Sequence, residues 1–227
     1  ESATIIRVGE ADSLRNFLWI FQKMRTIKRK YLVGVDEVGR GPLAGPVAVG
    51  VVIFFGKTMT KSLRPGRDSK QLSPILREEW FRKIKVAQKS GVLEYAVSFV
   101  SSKIIDRKGL SFAIRKALQI SLKKVMRGRT ISPSDCLILL DGGLKAPKEF
   151  CNQKTIIKGD EKEPTIALAS ISAKVLRDRK MVKMEEKYPK YGFAVHKGYG
   201  TKAHYGAIGK WGLSPIHRRS FLKNPVE

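Results

Sequence analysis

Apolar positions along the chain fall into short dense runs and longer periodic ones, and the two patterns predict strands and helices respectively. The runs Tyr31 to Val38, Val47 to Phe55 and Leu93 to Ser101 are rich in Val, Ile and Phe and are bounded by Gly, Pro or charge, as strands are. The first two are close enough in sequence to pair antiparallel. Cys136 to Asp141 reads as a fourth, buried strand, and Thr155-Ile-Ile-Lys158 as a short fifth. Helical spacing starts at Ser73-Pro74 and runs to about Lys89, recurs from Ile105 to Met126, and recurs again from Thr165 to Lys187 before the Tyr188-Pro189 break. A helix between strands three and four implies a parallel crossover. The order predicts an α/β fold: a five-stranded mixed sheet, three antiparallel strands and then parallel crossovers, flanked by helices. Upstream, Ser13 as an N-cap before the amphipathic run Leu14 to Met24 predicts a helical N-terminal extension over residues 1–30.

Composition narrows the partner. With 227 residues and 42% hydrophobic content the chain can build one large core, and one main domain is expected. Its 45 Lys and Arg against 20 Asp and Glu give a formal charge of +25, a field that attracts a polyanion. A membrane is disfavoured. No apolar run reaches the ~18 residues of a spanning helix, since Asn16 to Gln22 is closed by Lys23 and Arg25, and the acidic start does not resemble a secretory signal. Cys136 and Cys151 are too few for a disulfide framework and lack CxxC spacing, so both read as small buried apolar residues in a reducing cytoplasm. His196, His204 and His217 share no ligand spacing, which argues against zinc and for local hydrogen bonding.

The chemistry-bearing residues are acidic. Strand one ends in Asp36-Glu37, followed by the turn Gly39-Arg40-Gly41. Asp141 ends the fourth strand before Gly142-Gly143, where α/β proteins place chemistry, and Asp160 follows Lys158-Gly159 just ahead of a helix. Carboxylates supply the hard oxygens that Mg²⁺ and Mn²⁺ prefer. Neighbours on a strand point to opposite faces, so Asp36 and Glu37 can serve one site only at a strand end, bulge or edge. Read singly, Asp141 is equally a turn former and Asp160 a helix-start charge; the joint pattern favours a metal-dependent nuclease.

Six blocks in order resemble the ribonuclease HII family in its bacterial form. They are Gly34 to Val47, Asp68-Ser-Lys70-Gln-Leu-Ser73, Leu140-Asp-Gly142, Lys158-Gly-Asp160, Ala169-Ser170-Ile-Ser-Ala-Lys-Val175 with Arg177-Asp178, and His196-Lys-Gly-Tyr199-Gly-Thr-Lys202, closed by Ser214 to Phe221. The resemblance implies a ribonuclease H-like catalytic domain over 31–227, with a helical and loop C-terminal region. It implies Asp36, Glu37, Asp141 and Asp160 as catalytic ligands of two Mg²⁺ or Mn²⁺ ions. It implies Gly39, Arg40, Gly41 and Tyr199 as substrate contacts, the glycines letting the backbone approach a 2′-hydroxyl and the tyrosine stacking at an RNA-to-DNA junction. Lys70, Lys158 and Ser170 are candidate phosphate contacts. The implied substrates are RNA·DNA hybrids and DNA duplexes carrying single ribonucleotides. The sibling ribonuclease HIII family carries Glu where Asp160 stands and adds an N-terminal domain larger than thirty residues. Asp178, flanked by Arg177 and Arg179, reads as an ion-pair partner rather than a ligand. A monomer is the default, and contact with a replication clamp is not legible in these motifs.

Two other classes fit part of the pattern. A noncatalytic nucleic-acid-binding module accounts for the charge alone, and retained binding without cleavage would select it. Another nuclease on the same fold, such as a resolvase-like enzyme, would cut DNA that lacks ribonucleotides.

Overall fold

The computed structural model describes residues 30–56, 61–65 and 72–222. The helix predicted within 1–30, and Lys70, lie outside the described residues. Its centre is a five-stranded sheet in the order β3-β2-β1-β4-β5, formed by β1 (Tyr31–Val38), β2 (Val47–Phe55), β3 (Leu93–Val100), β4 (Cys136–Asp141) and β5 (Gln153–Ile156). β1 pairs antiparallel with β2, and β2 with β3; β1 pairs parallel with β4, and β4 with β5. The crossover from β3 to β4 runs through α2 (Ser102–Lys108) and α3 (Leu110–Val125), so β4 enters on the far side of β1. Both central strands therefore end at one edge of the sheet, beside each other.

Strand alternation divides the core. Val33 and Val35 of β1 and Ile138 and Leu140 of β4 face α3, whose Ala113, Ala117, Leu118 and Val125 complete that cluster. The opposite face packs against α1 (Pro74–Lys89) and the long α5 (Pro164–Lys187), with Phe81 and Ile84 of α1 meeting Leu168 and Ile171 of α5. The Ser121 hydroxyl of α3 donates to the Val49 carbonyl at 2.9 Å, satisfying a buried polar group within the first layer. Two glycines bring α5 close. A Cβ on Gly34 would stand 2.2 Å from the Thr165 carbonyl oxygen, and one on Gly50 2.3 Å from that of Ala169.

The remaining helices are short: α4 (Gly159–Lys162), α6 (Phe193–His196) and α7 (Lys202–Trp211). Among the described residues, no helix is long and apolar enough to cross a membrane.

Four local expectations need correction. The helix predicted over Ile105 to Met126 is two helices, because Gly109 takes φ 82 and ψ 157 and breaks the hydrogen-bond ladder. β5 starts and stops two residues early: Lys158 turns left-handed at φ 54 to begin α4, and Ile157 is 75% exposed rather than part of a ladder. β3 ends at Val100, since Ser101 is the N-cap position of α2. Cys136 is buried, its thiol pushed up to about 11 by burial, but Cys151 is exposed in the loop before β5.

Candidate active site

The geometry of β1 and β4 decides which acids meet. Register places Val35 beside Leu140, so Asp36 and Asp141 follow side by side, on the face that Gly34 and Leu139 turn toward α5. β4 stops at Asp141, and beyond Val35 the paired register on that side of β1 ends. Glu37, which points to the other face, can thus share the opening at the strand ends. This resolves the tension between neighbouring residues of opposite pleat.

Asp36 is buried and accepts the Glu37 N–H at 2.7 Å. Its carboxyl is pushed well above the usual range, mainly by burial, while the Ser170 hydroxyl of α5 pulls the other way and the charges of Asp141, Glu37 and Asp160 push it further up. Glu37 is also raised, first by burial, against the opposing hydrogen bond and charge of Arg40 at 2.8 Å. Asp141 accepts the Gly159 N–H through Oδ1 at 2.6 Å, tying β4 to the start of α4. Asp160, in the first turn of α4, is buried. Lys158 precedes it with an exposed ammonium 3.9 Å from Glu161.

These four carboxylates interact, yet among the described residues no three Asp, Glu, His or Cys groups stand close enough to form a ready-made cation cage. Glu37 and Asp141 are each held by a donor of their own, the Arg40 guanidinium and the Gly159 N–H. The donor set still fits a hard divalent ion: it is all carboxylate oxygen, and Glu37 Oε2 is buried without a hydrogen-bond partner among the described residues.

A cavity of about 320 Å³ joins Asp36 and Glu37 to Gly39, Arg40, Gly41 and Tyr199. Ser170 lines it too, and its hydroxyl bonds to Asp36. Two residues the motif reading passed over also reach it, Arg77 from the first turn of α1 and Lys174 from α5. Nothing marks Arg77 among so many cations; Lys174 lies within a matching block and was legible there. Lys174 pairs with Asp178 at 3.0 Å, which gives Asp178 the ion-pair role expected of it. A second groove of about 860 Å³ shares Arg77, Lys174 and Tyr199 with the first.

Tyr199 projects from the loop after α6, its ring 5.7 Å from both Lys174 Nζ and the Arg177 guanidinium. Beneath it the three histidines, scattered in sequence, form one buried cluster: His196 stacks on His204 at 4.2 Å, and His204 Nε2 lies 3.0 Å from His217 Nε2. Backbone partners fix the protons. His204 Nδ1 donates to the Tyr199 carbonyl, so its Nε2 accepts from His217, whose Nδ1 in turn accepts the Ser214 N–H. The whole chain needs neutral rings. Burial, with His204 adding, holds His217 down to about 4. The unfolded imidazole takes its proton near 6.5, so between pH 6.5 and 4 the unfolded chain binds more protons and stability falls as pH drops. Between pH 7 and pH 5 the wild type is expected to lose about 2 kcal/mol more than His217→Gln, as read by urea unfolding. Parallel profiles for the two proteins would show that His217 is not held neutral.

Residues 33–224 match the family described as Ribonuclease HII. The chain is 43% identical over 209 residues to a ribonuclease HII of Caldicellulosiruptor bescii, covering 92% of this chain and 95% of that protein. Among solved structures, ribonuclease H2 of Pyrococcus horikoshii superposes with a TM-score of 0.63 at 29% identity, covering 86% of this chain and 100% of that one. Ribonuclease HII of Archaeoglobus fulgidus, solved in complex with PCNA, gives a TM-score of 0.65 at 23% identity, over 85% of this chain and 94% of that one. Sequence identity at this level, spread over nearly the whole chain and joined to the same fold, makes the protein a ribonuclease H hydrolase: it belongs to the ribonuclease HII family, endonucleases of RNA·DNA hybrids.

Proposed function

We propose that this chain hydrolyses the RNA strand of RNA·DNA hybrids and also cuts duplex DNA on the 5′ side of a single embedded ribonucleotide, leaving 5′-phosphate and 3′-hydroxyl ends. The observation that carries the reading is the single cavity in which strand-end carboxylates, a glycine-flanked turn and an exposed tyrosine stand together. Asp36, Glu37, Asp141 and Asp160 would hold two Mg²⁺ or Mn²⁺ ions, which when bound activate a water and stabilise the leaving oxygen. Ser170 orients Asp36 through its hydrogen bond. Asp141 is tied to the start of α4 by the Gly159 N–H on its Oδ1.

The turn Gly39-Arg40-Gly41 brings backbone N–H groups up to the ribose, the feature by which a ribonucleotide differs from its neighbours. Gly41 supports this. Its φ is ordinary and a Cβ there would meet no atom of the described residues within 4 Å, so among them neither conformation nor packing calls for glycine; close approach of substrate would. Arg40 is exposed and paired with Glu37, free to exchange that carboxylate for a phosphate. Tyr199 would stack at the sugar on the RNA-to-DNA step, while Lys174 and Arg77, which line the same cavity, and the exposed Lys158 ahead of Asp160 would contact phosphates.

The test compares three duplexes, one all DNA, one DNA with a single ribonucleotide, and one continuous hybrid, each with Mg²⁺, Mn²⁺ or chelator. Metal-dependent cutting 5′ to the lone ribonucleotide is the expected result; cutting of the hybrid alone would remove junction recognition, and cutting of the all-DNA duplex would move the chain to another nuclease class. Tyr199→Ala should then lower kcat/KM on the single-ribonucleotide duplex by about tenfold or more, and less on the hybrid. Tyr199→Phe, which keeps the ring, should fall between. Equal losses on every substrate would count against a junction role.

A further inference from the structure

Two fully buried arginines lie under the turn that faces the cavity. Arg218, in the segment after α7, donates from Nη2 to the Gly39 carbonyl at 2.7 Å, from Nη1 to the Arg40 carbonyl at 2.9 Å and from Nε to the Gly45 carbonyl at 3.0 Å. Its own N–H donates to the Leu43 carbonyl at 2.7 Å. Arg177 of α5 donates to the Pro46 carbonyl at 3.0 Å and the Lys197 carbonyl at 3.2 Å, and its Nε would lie 2.2 Å from a Cβ on Gly39. The Gly198 carbonyl, next to Tyr199, accepts from Leu43 and Ala44 N–H. Asp106 fixes the tail behind Arg218 by accepting the N–H groups of Arg219 and Ser220, both at 3.0 Å.

A trans peptide points its C=O and N–H in opposite directions, and the described residues contain no cis peptide. Clamping the carbonyls of Gly39 and Arg40 inward therefore turns the N–H groups of Arg40 and Gly41 outward, toward the cavity. Such an arrangement is costly. Burial, with the charge of Arg177 adding, pushes the Arg218 guanidinium down to about 10. Stability alone is served as well by apolar side chains of similar volume, so a buried cation spending two donors on one turn and a third on Gly45 just beyond it calls for a geometric role.

We propose that Arg218, seated beside Arg177, is the positioning residue of the ribose-reading turn: it touches no substrate and sets the direction in which the backbone of Gly39 to Gly41 presents its donors. The proposal rests on the reading of that turn given above. A lysine can replace the charge of Arg218 but not its three-way fork.

The experiment measures affinity, with Ca²⁺ in place of the catalytic ion and substrate checked to be intact, for two DNA duplexes that differ by one 2′-hydroxyl. Wild type, Arg218→Lys and Arg218→Ala are compared. The wild type should prefer the ribonucleotide-bearing duplex; Arg218→Lys should lose about tenfold of that preference while its affinity for the all-DNA duplex stays within about twofold. In Arg218→Ala, millimolar guanidinium chloride should restore the preference and equal sodium chloride should not. An unaltered preference in Arg218→Lys overturns the proposal, as does an equal loss on both duplexes, which would mark Arg218 as scaffold only. Absence of any preference in the wild type is a different failure: it overturns the ribose reading of the turn itself.

Discussion

Asp141→Asn should lower metal-dependent cleavage by about a thousandfold while leaving the metal-free fold at least as stable as the wild type. Both halves follow from one arrangement. The charge of Asp141 adds to the cost of ionising Asp36 and Glu37, so its removal relieves repulsion where no cation is present. The substitution is nearly isosteric, and an amide oxygen can still accept the Gly159 N–H that joins β4 to α4. What the proposed metal site loses is a hard anionic ligand. Thermal unfolding with and without Mg²⁺ or Mn²⁺ separates the two effects: the wild type gains stability from the ion by mass action, and the variant gains less. Cleavage that survives undiminished in Asp141→Asn would remove that residue from the catalytic set. A large drop in metal-free stability would show instead that the carboxylate is there for the fold.

The strands that carry these acids were legible because their boundaries are chemical. β1 and β2 run between Lys30 and Gly39 and between Pro46 and Gly56, and their observed limits are those of the apolar runs. Where the apolar pattern misled, backbone geometry overrode it: Ile157 continues the hydrophobic run of β5 but sits beside Lys158, whose left-handed conformation ends the strand. Gly109 sits in a helical pattern that a single glycine does not always break, and only its dihedrals reveal two helices. Among the site residues, the four acids and the glycine-arginine-glycine turn were recognisable from motif and strand position. Arg177 was within reach too, since Ala173, Arg177 and Met181 share one buried stripe of α5 at four-residue spacing. Arg218 was not. It stands beside the exposed Arg219, and burial of one and exposure of the other are decided by Leu43 and Gly45, some 170 residues earlier. The histidine cluster escaped for the same reason, because His196, His204 and His217 meet through the turns around α7 rather than through any sequence spacing.

Gly34→Ala is expected to cost about 3 kcal/mol or more of stability, which places it among the most damaging single-methyl additions available to this chain. The added Cβ would lie 2.2 Å from the Thr165 carbonyl oxygen, 2.3 Å from its carbon and 2.7 Å from the Ile166 nitrogen, all backbone atoms of α5. No rotamer change relieves such a contact; the helix must lift off the sheet. Gly50→Ala meets the same helix one turn further along, at the Ala169 carbonyl oxygen, and should behave alike. Lifting α5 carries Ser170 away from Asp36 and disturbs Lys174 and Arg177, so cleavage should fall further than the unfolded fraction explains. Gly206→Ala on α7 is the control. Its Cβ would enter open space within a helix, where alanine is favoured over glycine by about 0.5–1 kcal/mol, so stability should rise slightly. Equilibrium urea unfolding of the three variants decides the matter. If Gly34→Ala unfolds at the wild-type midpoint, α5 does not rest on β1 through backbone contact, and the placement of Ser170 against Asp36 loses its structural cause.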